Sequence, residues 1–237
     1  MSNGIYAATA GAVAQSNALD ATANNIANAS TAGFHGDRVT FREALTAARS
    51  PDVASVGAGT ARIDSQAGAL TQTENPLDLA LEGDGYFAVT TPNGPRYTRA
   101  GNFQLDAAHN VVTADGFAVR GEGGAPINVP AETQVLGVAA DGTVSADGAA
   151  IGKLELARFA PGQMKREGGS LFSATGRPLA GDPPKVRAGV LESSNVNVVR
   201  GVVDLVKVSR TYESLMRVIQ GYHDVESRAA RELGTPK

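Results

Sequence analysis

The sequence predicts an α+β chain, with its helices at the two ends and an antiparallel β-rich middle. Three observations carry that reading. Apolar residues recur every seven positions near each terminus, the period of one helix packed along another. Between the ends the period drops to two, the spacing of a strand with one buried face. The 28 glycines among 237 residues, several of them in Asp-Gly pairs, supply turns at the rate a meandering sheet needs.

Residues 1–33 read as the first helix. Ile5, Ala12, Leu19 and Ile26 stand one heptad apart, and the sites three or four residues further on (Ala8, Gln15 and Thr22, or Thr9, Ser16 and Ala23) are small or polar. Such a seam is narrow and suits close helix approach better than a thick leucine core. Gly33 is the expected stop. Residues 195–237 mirror this pattern: Val198, Leu205, Tyr212 and Ile219 repeat the heptad, Val202, Ser209 and Met216 follow four behind, and Val208, Leu215 and Tyr222 widen the stripe. Asn195 or Asn197 is the expected N-cap, and Gly234 with Pro236 the expected end. The two helices are expected to pair in a coiled-coil-like stalk.

Residues 73–160 read as the β domain. Leu77, Leu79 and Leu81 alternate with Asp78, Ala80 and Glu82, and Gly83-Asp84-Gly85 then turns the chain into Tyr86-Phe87-Ala88-Val89, a hairpin pattern. A second strand, turn and strand follow in Arg96 to Arg99, Ala100-Gly101-Asn102 and Phe103 to Leu105. Asp115-Gly116, Asp141-Gly142 and Asp147-Gly148 are further turns. Residues 34–72 and 161–194 read as extended connectors with short strands, running side by side because each leads from the β domain to one terminal helix.

Composition removes several classes of function. A net charge of −3 and a pI near 5.6 provide no concentration of Lys and Arg for nucleic acid. No run approaches the roughly 20 apolar residues of a membrane span, and residues 1–17 place no Lys or Arg ahead of an apolar block as a cleaved signal would. With no cysteine, thiol catalysis, disulfides and thiolate metal sites are excluded. Aromatics are only 5% and Trp is absent, which disfavours a small-molecule pocket.

The features that resemble chemistry have plainer readings. His35, His109 and His223 lie far apart without a zinc-type spacing, so they are expected at the surface or at an interface. Glu82 and Asp84 stand as neighbours in a turn, where a glycosidase needs a cleft between its carboxylates. The Asp-Gly turns carry one acid each, too few oxygens for calcium. Arg96 and Arg99 flank Tyr97, a pattern that would suit a polysaccharide but is read first as cross-strand and ion pairing. No catalytic, metal or cofactor residue is assigned.

Assembly is the reading that remains for the ends. The first helix has only Ile5, Leu19 and Ile26 as large residues on its stripe, and two paired helices leave a face that no layer covers. Neighbouring copies would supply that layer.

The run Leu19-Asp20-Ala21-Thr22-Ala23-Asn24-Asn25-Ile26-Ala27-Asn28, continued to Gly33-Phe34, resembles the N-terminal signature of the flagellar axial family of rod, hook and hook-associated proteins. Asn75-Pro76-Leu77-Asp78, Gly83-Asp84-Gly85-Tyr86-Phe87 and Arg96-Tyr97-Thr98-Arg99-Ala100-Gly101-Asn102-Phe103 are similar to its rod and hook subgroup. Leu191-Glu192-Ser193-Ser194-Asn195 and Ser209-Arg210-Thr211-Tyr212-Glu213 are similar to its C-terminal helix region. The short stretch from Phe34 to Asn75 resembles the proximal rod branch, with the distal branch next.

The resemblance implies a non-enzymatic subunit of the basal-body rod, exported by the flagellar type III apparatus without a cleaved signal. It implies a place in the rod that crosses the periplasm and drives motility, with other rod subunits and further copies of the chain as partners. The assembly interface is then expected at Ile5, Ala12, Leu19, Asn24, Asn25, Ile26, Asn28, Val198, Leu205, Tyr212, Met216 and Ile219. The rival classes are a distal rod or hook-type protein and, quite differently, a carbohydrate-binding module or hydrolase built on the β domain.

Overall fold

The computed structural model describes residues 2–40 and 60–233, and the expected helix end at Gly234 and Pro236 lies outside them. Two terminal helices and a central antiparallel β region are present, as the periodicities predict. The chain forms two compact units, one of residues Met1–Ala27, Asp37–Arg62 and Asn197–Lys237, the other of Asn28–Gly36 and Ile63–Val196.

The first unit is helical. It holds α1 (Ser2–Ala27) and α2 (Val198–Leu233), with β1 (Asp37–Thr40) paired to β2 (Thr60–Ile63). Asn197 is the N-cap of α2, its Oδ1 accepting the Arg200 amide at 3.0 Å, two residues beyond the other expected cap, Asn195. α1 stops at Ala27, six residues before Gly33. The stop comes from Asn28 to Thr31, whose polar side chains compete with helical hydrogen bonding; the Thr31 amide turns back to the Asn28 carbonyl at 3.1 Å.

Gly33 is left-handed as a C-terminal glycine would be, with φ 62°, but for another reason. A Cβ there would lie 2.2 Å from the Arg99 carbonyl carbon, so the position admits only a hydrogen against a crossing backbone.

The second unit is β-rich. Its main sheet runs β14 (Met164–Arg166), β15 (Leu171–Ala174), β6 (Gly94–Thr98), β5 (Tyr86–Thr91), β9 (Ala118–Val119), β8 (Val111–Val112) and β7 (Gln104–Leu105), with β13 (Leu156–Ala157) also on β5. A three-stranded meander follows in β10 (Leu136–Val138), β11 (Thr143–Ala146) and β12 (Ala149–Lys153). Two pairs complete the unit, β4 (Leu79–Glu82) with β16 (Lys185–Ala188) and β3 (Leu70–Gln72) with β17 (Val190–Glu192). The β3–β17 pair is the side-by-side run expected of the two flanks. Leu79, Leu81, Phe87, Val89, Phe103, Ile127 and Val144 are among the core residues.

The Asp-Gly turns fall where the dipeptides predict. Asp147 and Gly148, with φ 50° and 84°, form the two-residue loop between β11 and β12, as a turn of inverted hand requires. The first predicted hairpin is different: β4 and β5 do not pair across Gly83-Asp84-Gly85, because β4 takes β16 and β5 takes β6, β9 and β13. Leu79, Ala80 and Leu81 are all buried, so β4 is covered on both faces and its alternating pattern says nothing about its partner. Arg96 to Leu105 fails as a hairpin too, since β6 pairs with β5 and β15 and β7 pairs with β8. Between these two stretches the hairpin that forms is β5–β6, which turns through Pro92-Asn93 between Thr91 and Gly94.

Candidate assembly interface and a buried charge cluster

α1 and α2 pack antiparallel through a row of small residues. A Cβ on Gly4 would come within 2.6 Å of Tyr222 Oη, and one on Gly11 within 3.3 Å of Leu215 Cδ1. The step from the first contact to the second is seven residues forward on α1 and seven back on α2. At the far end the roles reverse: a Cβ on Gly201 would meet Ile26 Cγ1 at 2.9 Å. Large residues of one helix therefore sit over small residues of the other, the close approach expected from the narrow seam.

The expected interface residues fall into three groups. Ala12 is buried, and Ile5, Leu19, Ile26, Leu205, Tyr212, Met216 and Ile219 are half-buried. Asn25 works within the chain: its Nδ2 donates to the Asp37 carbonyl and its Oδ1 accepts the Asp37 amide, both at 2.8 Å, so its amide pairs with β1 like one more strand residue. Asn28, in the β unit, holds the turn after α1 through Thr31, while Asn24 and Val198 are exposed.

The sequence reading missed Gly4, Gly11 and Gly201 as contact points. It also missed an exposed apolar flank of α2, where Val199 is 77% exposed and Val203 and Val206 about half. Tyr6 on α1 is 68% exposed. Within this unit, no described residue larger than alanine is buried: the interior consists of Ala8, Ala12, Ala14 and Ala18. Neither α1 nor α2, within the described residues, is long and apolar enough to cross a membrane.

The β unit holds a charged cluster that the sequence reading did not assemble. His35, expected at a surface or interface, is 2% exposed, and Glu192 and Arg99 are 1% and 4% exposed. His35 Nε2 meets Glu192 Oε1 at 2.8 Å, Arg99 Nη1 donates to Oε2 at 3.1 Å, and the Gly68 amide donates to Oε1 at 2.9 Å. Burial alone would push the Glu192 carboxyl up; the His35 hydrogen bond, the Arg99 charge and the Gly68 amide outweigh it and hold it below the ordinary carboxylate range. Arg99 also donates to the Gly83 carbonyl at 2.6 Å and lies 5.6 Å from the centre of the Tyr86 ring.

The neighbouring backbone is pinned as tightly. The Gly33 amide donates to the Glu192 carbonyl at 2.7 Å, and the Asn195 side chain accepts the Gly36 amide while donating to the carbonyls of Asp64 and Gln66. Phe34 is fully buried, with the Arg166 guanidinium 4.4 Å above its ring and bonded to the His35 carbonyl. The one signal for this cluster was that Phe34, Arg99 and Glu192 all lie inside the quoted motifs.

A small-residue helical pair whose described residues leave an apolar flank exposed, in a chain that also holds a β unit with a closed core, defines a class: a structural subunit made to associate. Comparison with known proteins makes the class specific. The family model for flagella basal body rod proteins matches residues 5–35, that for the D1 domain of the flagellar hook proteins FlgE/F/G matches 80–146, and that for the C-terminal region of the basal body rod proteins FlgEFG matches 187–232. The chain is 32% identical to the flagellar basal-body rod protein FlgF of Rhizobium meliloti over 99% of both chains, and 36% identical to FlgF of Escherichia coli over 97% of both. It is 32% identical to the rod protein FlgG of Bacillus subtilis, over 85% of this chain and 88% of that one. The chain belongs to the flagellar basal-body rod protein family, and its likeness within that family is to FlgF, with FlgG next.

Proposed function

We propose that this chain is a structural subunit of the flagellar basal-body rod, of the proximal type, which polymerises through its terminal helices and catalyses no reaction. The observation that carries the proposal is that, among the described residues, the helical unit has no interior beyond four alanines. Two helices bury one stripe of each other and leave the opposite faces wet, and here those faces carry Val199, Val203, Val206 and Tyr6. In the rod, helices of further copies and of other rod subunits cover them. Ile5, Leu19, Leu205, Tyr212, Met216 and Ile219, half-buried in the single chain, then become fully enclosed. The flagellar type III apparatus delivers the chain to the periplasm.

The test places a charge where the single chain does not use the side chain. A Val199→Asp, Val203→Asp double variant is expected to stay monomeric by sedimentation at concentrations where the wild type polymerises, with unchanged far-UV circular dichroism in the dilute monomer. Polymerisation of the variant at wild-type concentration would remove this flank from the interface.

A further inference from the structure

We infer that His35, Glu192 and Arg99 form an acid-opened clasp, which ties the segment following α1 to the strand preceding α2 near neutral pH and releases it on acidification. The three side chains come from positions far apart in the chain, His35 and Glu192 being separated by 157 residues, so closure orders the two ends of the β unit together. All three are almost wholly removed from solvent. A buried cluster of this kind is held by balance rather than by net attraction, and taking away one charge leaves its partner stranded.

The cluster sets one carboxylate against one guanidinium, with His35 Nε2 hydrogen-bonded to Glu192 Oε1. His35 Nδ1 makes no hydrogen bond among the described residues. A proton added to Glu192 removes the only counter-ion that the cluster gives Arg99. The groups facing the cluster from other elements do not relieve this change. Arg166, from β14, brings further positive charge to the His35 carbonyl, and Tyr86, from β5, presents its ring to Arg99, with Asp84 in the turn before it.

The sign follows from Glu192, whose carboxyl is held below its ordinary range while the clasp is closed. The open form binds the proton better, so the stabilisation is complete above the ordinary carboxylate range and is lost as the pH falls through the lowered value.

Two amides report the clasp directly: Gly68, which donates to Glu192 Oε1, and Gly33, which donates to the Glu192 carbonyl. Amide hydrogen exchange by NMR on the full chain, as a dilute monomer, keeps the result separate from polymerisation. Corrected for intrinsic rate, protection at both amides is expected to hold from about pH 7 down to about pH 5 and to fall below about pH 4.5, by up to about tenfold per pH unit for the proton taken up. The Val144 and Ala146 amides of the β11 meander should keep theirs. Glu192→Gln is expected to start from lower protection and to show a flat profile. A His35→Leu, Arg99→Met, Glu192→Leu variant, with no buried charge left, is expected to fold and to be equally flat. A flat wild-type profile, or an unchanged slope in either variant, overturns the clasp.

Discussion

The β unit and the helical unit face the same requirement, to remove apolar surface from water, and meet it to very different extents. The β unit encloses Phe34, Phe87 and Phe172 completely and tolerates a buried ion cluster because layers close over it from several strands. Among its described residues the helical unit has two elements of length and one thin β pair, too few to close a layer over both faces of each helix. Its side chains are no less apolar, as the valines of α2 show. Apolar composition therefore does not make an interior by itself; a second layer does, and under the proposed function that layer comes to the helical unit from other molecules.

Three substitutions break or sharpen this contrast, in decreasing order of effect. Phe34→Ala removes a fully buried ring from the β unit and leaves the Arg166 guanidinium without its aromatic face. It should cost about 3 to 5 kcal/mol, read as a lower melting temperature of the tyrosine near-UV signal; an unchanged melt would mean that the β unit closes without its N-terminal segment. Gly11→Val forces branched carbons against Leu215 across the seam and should cost about 1 to 3 kcal/mol. That loss should show in the helical far-UV signal and not in the β unit. Asn197→Ala deletes the N-cap of α2 and should cost about 1 kcal/mol, seen as faster exchange of the Arg200 amide; equal exchange would show that the cap contributes nothing there.

How much was legible in the chain depends on how local the determinant is. The heptads of Ile5, Ala12, Leu19 and Ile26 and of Leu205, Tyr212 and Ile219 gave both helices because period and helical geometry are set within a few turns. Asp147-Gly148 gave its hairpin because a two-residue turn of that hand needs left-handed residues at both positions. Leu77 to Val89 misled: the spacing of Leu79 and Leu81 marks a strand and not the strand beside it. The contrast among the asparagines is the same. Asn197 caps its own helix, a contact of three residues, whereas Asn25 and Asn195 pin backbone that arrives from elsewhere in the chain.

By itself, then, the sequence determined the class, the two terminal helices, the sites of the Asp-Gly turns and the family, all of which rest on interactions between near neighbours or on ordered motifs. Only the tertiary structure decided which strands pair, that His35 is internal, and that Glu192 is met by Arg99 and by an amide from Gly68. The reason is that burial and charge pairing belong to a place where distant segments meet, and no single stretch of chain carries the free energy of that meeting.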